Sequence, residues 1–214
     1  MSVSSENEPG RRPIQTRNNA AVKKFASALA SKRVTPNQIS VIGIGFALVG
    51  AVALATACRG WLWPVPALVI AALCVQARLM CNLLDGLVAV EGGLKGKAGD
   101  LFNEFPDRIE DTLFLAAAGH ACGEAALGWA CAALAAITAY VRALGASLGQ
   151  GQDFSGPCAK QHRMAILTAA MLGAALCELL NINIPVLPVA LWIIVAGTFI
   201  TTARRVLNLY RRLP

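Results

Sequence analysis

Residues 35–58 read TPNQISVIGIGFALVGAVALATAC, and no charged side chain occurs between Arg33 and Arg59. A helix of about 20 apolar residues crosses the hydrocarbon core of a bilayer, so this stretch is long enough to span one. Thr35-Pro36 marks its start, since Thr suits the N-cap and Pro the first helical position. The rest of the chain agrees with that reading. Of 214 residues, 56% are hydrophobic and 14% are charged, whereas a soluble domain is roughly one quarter charged. The mean hydropathy is +0.57. These values exclude a disordered chain and argue against a soluble enzyme. In lipid only helices and closed barrels satisfy the backbone, and the alternating pattern of barrel strands is missing here.

Five further candidate spans follow, the one from Gly99 charged in its first half and apolar in its second. They run from about Trp61 to Val90, Gly99 to Ala121, Ala125 to Leu148, Gln161 to Leu180 and Pro185 to Tyr210. The expected fold is an all-α membrane protein with six transmembrane helices and an N-terminal cytoplasmic interfacial helix. Residues 1–17 read as a disordered polar N-terminus, 18–33 as the amphipathic interfacial helix and 34–214 as the transmembrane domain. In the amphipathic segment Val22, Phe25, Ala26 and Leu29 share one face, and Lys23, Lys24, Lys32 and Arg33 are available to lipid phosphates.

The formal charge is +7. Seven Lys and Arg residues precede the first span, and only Arg59 falls on the opposite side of a six-span arrangement. The positive-inside rule then puts both termini in the cytoplasm. Short basic segments scattered between apolar runs point away from nucleic acid. Seven cysteines without CxxC pairing read as small buried hydrophobes rather than a disulfide or zinc framework.

Spans two and three carry polar groups that a lipid-facing helix excludes. Asn82 and Asp85 lie three apart on one helix face, and Asn103 and Asp107 four apart on the next helix, with Gly99 one turn earlier. A short glycine-rich loop makes the two helices antiparallel and brings the pairs together. Four oxygen-bearing side chains then converge near the cytoplasmic side. Carboxylate and amide oxygens without Cys or His suit a hard cation. A hydrogen-bonded helix seam is the alternative. Arg78, one turn before Asn82, is expected to pair with an acid of the third span.

The segment NLLDGLVAV at 82–90, followed by Gly99, Asn103 and Asp107, resembles the signature of the CDP-alcohol phosphatidyltransferases, D-x2-D-G-x2-A-R-x8-G-x3-D-x3-D. Every spacing fits, and Asp85, Gly86, Ala89, Gly99 and Asp107 match in identity. Thr35-Pro36-Asn37-Gln38-Ile39-Ser40 is similar to the T-P-N-x-[IL]-[TS] that opens the first membrane helix of that family. Tyr140-Val141-Arg142-Ala143 and the stretch around Lys160 and Arg163 are similar to its basic elements near the fourth and fifth helices.

The resemblance implies a transferase of phospholipid biosynthesis. It would move a substituted phosphate from a CDP-linked lipid to an alcohol, releasing CMP, with Mg2+ or Mn2+ held between helices two and three. It implies metal ligation by Asn82, Asp85, Asn103 and Asp107, with Asp107 also the catalytic base. It implies nucleotide binding at Gly86, Ala89 and Gly99, and acceptor or phosphate binding at Arg142, Lys160 and Arg163. The implied partners are the lipid donor, the alcohol acceptor, the bilayer and a second copy of the chain. The implied location is a bacterial inner membrane, with the active site cytoplasmic.

Asn82 and Asn103 stand where the signature has aspartate, and Val90 where it has arginine. Each asparagine keeps a carbonyl ligand and removes one negative charge. Three consequences are compatible with this: a reduced or substrate-dependent metal load, compensation by Asp100, Glu104 or Asp111, or loss of transfer chemistry. A nucleotide- or lipid-binding protein without turnover and a small transporter are therefore the alternative functions.

Overall fold

The computed structural model describes residues 20–58, 63–91 and 97–213. Among them are seven helices and no strand. They are α1 (Ala20–Ser31), α2 (Pro36–Cys58), α3 (Pro64–Glu91), α4 (Lys97–Ala121), α5 (Ala125–Ser147), α6 (Lys160–Leu179) and α7 (Val186–Arg212). Residues 1–17, expected to be a disordered tail, lie outside the described residues, as do Trp61 and the glycine-rich loop at 92–96.

Five helices (α2, α3, α5, α6 and α7) are long and apolar enough to cross a membrane. Helix α4 is long enough but has Asp, Glu and Arg side chains through its first half. The outward faces are apolar: Val41, Ile42, Val49 and Val52 on α2 and Trp192, Ile193, Phe199 and Ile200 on α7 are all exposed. The bundle interior holds most of the buried charge, including Arg78, Glu110, Asp111 and Arg163. Apolar outside and polar inside is the arrangement lipid selects, and the chain is an integral membrane protein on this evidence of length and surface.

Helix α2 begins with a reciprocal cap. The Gln38 backbone N–H donates to Thr35 Oγ1 (3.3 Å), and the Thr35 N–H donates to Gln38 Oε1 (2.9 Å). Two of the unpaired donors of a helix start are thereby satisfied by side chains. Helices α2, α3 and α4 then pack closely. Helix α4 also crosses α5 at Gly119 and Gly128, where a Cβ on Gly119 would lie 2.6 Å from the Gly128 Cα. Only hydrogen on both residues allows that backbone-to-backbone approach. Phe114, Leu54, Val75, Met164, Leu167, Met171 and Leu191 fill the interior beyond the polar cluster.

Helix α1 differs in part from the expectation of a helix lying on lipid. Ala26 is fully buried, and Val22 and Leu29 pack with it against Ile39 of α2 and Leu84, Leu87 and Val88 of α3. Of the expected apolar face, Phe25 alone is well exposed, at 55%. The face is largely used by the bundle because the apolar ends of α2 and α3 offer it a dry partner.

Candidate active site

The site lies where α3, α4 and the start of α6 meet, with α2 behind. On α3, Asn82, Asp85, Gly86 and Ala89 follow the i, i+3, i+4, i+7 spacing of one helix face. Asp85 is buried, whereas the other three are half-buried. Its Oδ2 accepts a hydrogen bond from Ser40 Oγ at 2.8 Å, and its Oδ1 has no donor. The last position of the TPNQIS stretch thus orients the carboxylate. On the α2 face next to Ser40, Gly43 lets α4 approach: a Cβ there would lie 2.5 Å from Glu110 Oε1.

Helix α4 contributes Asp107, whose side chain is 14% exposed. Asn82 Nδ2 donates to Asp107 Oδ1 at 2.6 Å and lies 3.3 Å from Glu110 Oε2. The antiparallel pairing expected of the two helices therefore forms through Asn82 and Asp107. With its amide nitrogen so used, Asn82 keeps its carbonyl oxygen as a potential ligand. The backbones of Gly99 and Asn103 belong to α4, but the side chain of Asn103 and the surroundings of Gly99 lie outside the described residues.

The acids are surrounded by bases. Lys160, at the first position of α6, forms an ion pair with Asp107 Oδ1. Arg108 lies 3.5 Å from Asp107 Oδ2. Arg78, fully buried on α3, forms an ion pair with Asp111 and lies 3.4 Å from Glu110 and 3.9 Å from Asp107. The expected pairing of Arg78 with this helix is therefore met. Arg163 donates to Asp111 Oδ2 at 3.1 Å and to the Cys158 carbonyl at 3.1 Å. Asp111 thus joins α3 to α6 through two guanidinium groups.

Of the three basic residues expected to hold phosphate, Lys160 faces the site and is 21% exposed. Arg142, on α5, pairs with Glu104 of α4 and lies over the Phe154 ring, 5.3 Å from its centroid. Arg163 is 2% exposed and has its guanidinium committed to Asp111 and Cys158. Sequence reasoning missed Ser40 and Glu110. Both had a signal: Ser40 closes a capped helix start, and Glu110 lies three residues after Asp107 on the same face.

Beyond this cluster, the chain between α5 and α6 is tied across α7. Arg205 donates to the carbonyls of Ser155 (2.9 Å) and Thr138 (3.2 Å), and Asn208 donates to Asp153 Oδ2 (3.1 Å).

Among the described residues no three His, Cys, Asp or Glu side chains form a metal-holding group. Hard oxygen donors are nevertheless present. Asp85 Oδ1 and Glu110 Oε1 are buried without a donor, and the Asn82 carbonyl and Asp107 complete the set. Buried, unpartnered carboxylate oxygens are costly, and a divalent cation of the Mg2+ or Mn2+ type would satisfy them. The donor chemistry of the residues present therefore suits such an ion.

No family model matches the chain. It is similar to the phosphatidylinositol phosphate synthase of Streptomyces avermitilis, with 24% identity over 87% of this chain and 77% of that protein. Its fold is that of the phosphatidylinositol phosphate synthase of Mycobacterium tuberculosis. The structure of that enzyme with CDP-DAG bound matches at a TM-score of 0.69 and 20% identity, covering 90% of this chain and 94% of the other. The structure of the same enzyme with manganese and citrate matches at 0.69 and 21% identity, covering 88% of each chain.

Proposed function

We propose that this chain is a membrane-embedded transferase that moves a phosphatidyl group from a CDP-linked lipid to an alcohol acceptor and releases CMP. One observation carries the reading: Asp85 holds a buried, unpartnered oxygen beside the Asn82–Asp107 pair. That group occurs in a fold shared with an enzyme that binds CDP-DAG. The spacing of Asn82, Asp85, Gly99, Asn103 and Asp107 supports the same assignment.

The metal would be held by Asp85, Asp107, the Asn82 carbonyl and Asn103. When bound, Mg2+ or Mn2+ supplies charge neutralisation for a pyrophosphate that must be attacked and must leave as an anion. Asp107 accepts the proton of the acceptor hydroxyl. The acceptor oxygen forms a bond to the phosphatidyl phosphorus, and the bond from that phosphorus to the CMP oxygen breaks. CMP departs with the electron pair. Gly86, Ala89 and Gly99 line the nucleotide's approach. Lys160 and Arg142 serve acceptor or donor phosphate, with Arg163 setting the position of Asp111 and α6 from below.

In this reading α4 is the sixth span, with Glu110 and Asp111 buried inside the bundle. Both termini and the site face the cytoplasm of a bacterial inner membrane, where the soluble nucleotide is made available and collected. Helix α1, with Lys23 and Lys24 exposed, lies along that surface. A homodimer is part of the proposal by resemblance.

The test is purified protein in lipid nanodiscs supplied with CDP-diacylglycerol, Mg2+ or Mn2+ and a panel of acceptors that includes inositol phosphate, glycerol phosphate and serine. CMP release with one acceptor is expected. No release with any acceptor, while CDP-lipid binding persists, would select a binding protein without turnover.

A further inference from the structure

We infer that the site takes a single divalent cation and that the Lys160 ammonium serves as its second positive centre. The inference rests on the metal-site reading above and deepens it. Four carboxylates (Asp85, Asp107, Glu110 and Asp111) meet four basic groups (Arg78, Arg108, Lys160 and Arg163) within the cluster. The described cluster therefore holds as many basic as acidic side chains before any metal enters. Asn82 supplies oxygen without charge. One divalent ion makes the site positive, which suits an incoming pyrophosphate. Two would leave a large excess of charge in a partly dry pocket, where unbalanced charge is most costly.

Geometry divides the oxygens the same way. Asp85 Oδ1 and Glu110 Oε1 are buried without a donor. Asp107 Oδ1, in contrast, already holds Lys160 and the Asn82 amide, with Arg78 at 3.9 Å. A cation entering the site finds an unpartnered oxygen at Asp85. At Asp107 it meets the Lys160 ammonium group. Lys160 reaches that position because it is the first residue of α6, anchored from below by Arg163 on Asp111. Its three donors leave it able to hold Asp107 and a phosphate oxygen together.

The experiment is a Mn2+ titration of the full-length protein in nanodiscs with CDP present, followed by the electron paramagnetic resonance signal of free Mn2+. Wild type is expected to bind one Mn2+ per chain. Lys160→Met is expected to bind a second ion or to bind Mn2+ at least about tenfold more tightly, because a unit charge a few ångströms away has been removed. Lys160→Arg keeps the charge and is expected to retain one ion. Two ions per wild-type chain overturns the inference, even if Lys160→Met does not fold. Unchanged stoichiometry and affinity in a folded Lys160→Met protein also overturns it. If neither wild type nor variant binds Mn2+, the metal-site reading itself fails, and CMP release then decides the transferase reading separately.

Discussion

Ser40 on α2 and Asp85 on α3 are joined by a 2.8 Å hydrogen bond in a buried setting, 45 residues apart in sequence. Ser40 is 2% exposed and Asp85 4%. The bond ties the capped start of α2 to a buried carboxylate of the site. Ser40→Ala is expected to destabilise the protein by about 1.5–3 kcal/mol, the range for hydrogen bonds to charged groups. Denaturant unfolding in mixed micelles reads this directly. Ser40→Thr keeps the hydroxyl and is expected to lose much less.

Gly43 and Gly45 offer a matched pair on the same helix. A Cβ at Gly43 would lie 2.5 Å from Glu110 Oε1, whereas one at Gly45 would meet nothing within 4 Å. Gly43→Ala is therefore expected to displace the Glu110 carboxylate from its place in the cluster and to cost about 1–3 kcal/mol, as overpacking does. Gly45→Ala is expected to be neutral or stabilising by up to about 1 kcal/mol, from helix propensity alone. Thermal unfolding of the two variants side by side checks the contrast. Equal effects would place the α2–α4 contact elsewhere.

Asp111 is the charge on which α3, α4 and α6 converge. It is 2% exposed, pairs with Arg78 and accepts from Arg163 at 3.1 Å. Removing one partner of a buried pair leaves uncompensated charge and costs about 3–5 kcal/mol. Asp111→Asn leaves two guanidinium groups short of their anion and is expected at or above that range. Arg163→Met leaves Asp111 with Arg78 and is expected to cost less. Chemical denaturation of both variants gives the ordering.

How much of this was legible in the sequence differs by level. The first span was legible because membrane helices exclude charge: the uncharged run between Arg33 and Arg59 contains α2, and the longer apolar runs match α3 and α6 to within a few residues. The spacing of Asn82, Asp85 and Asp107 already implied a shared face, since antiparallel neighbours align such faces. Partner choice was not legible. Lys160 and Arg163 read alike as basic residues near a loop, yet one faces Asp107 and the other is buried on Asp111. That difference depends on the rotation of α6 about its axis, which packing against α3 sets. The apolar face of α1 read as a lipid-binding face because sequence periodicity marks a dry side without naming what covers it.

The loop between α5 and α6 is expected to loosen in acid. Burial pushes the Asp153 carboxyl up, but hydrogen bonds from Ser155 and Asn208 and the charge of Arg205 outweigh it, so the group is held below its ordinary value. A carboxyl lowered in the folded state stabilises it fully above the unfolded value, near pH 4, and that contribution is lost as pH falls through the lowered one. Protease cleavage of residues 149–156 is therefore expected to rise below about pH 4 in wild type. Asp153→Asn is expected to show raised cleavage already at neutral pH, without further dependence on this group. Identical pH profiles for the two proteins would assign the loop's stability to other contacts.

Asp107 is the group whose change separates binding from chemistry. It faces Asn82 at 2.6 Å and Lys160, and its side chain is 14% exposed, more than that of Glu110 or Asp111. As the proton acceptor for the alcohol it contributes about 10²–10⁴-fold to rate. Asp107→Asn keeps the shape and a carbonyl oxygen but cannot take the proton. The expected outcome is a kcat lowered by about 10²-fold or more with CDP-lipid affinity within a few-fold of wild type. Asp85→Asn is expected to act differently, weakening Mn2+ binding because it removes the buried, unpartnered carboxylate oxygen. Steady-state CMP release, combined with equilibrium binding of the donor, distinguishes the two. Equal losses of rate and donor affinity in Asp107→Asn would make Asp107 a ligand rather than the base.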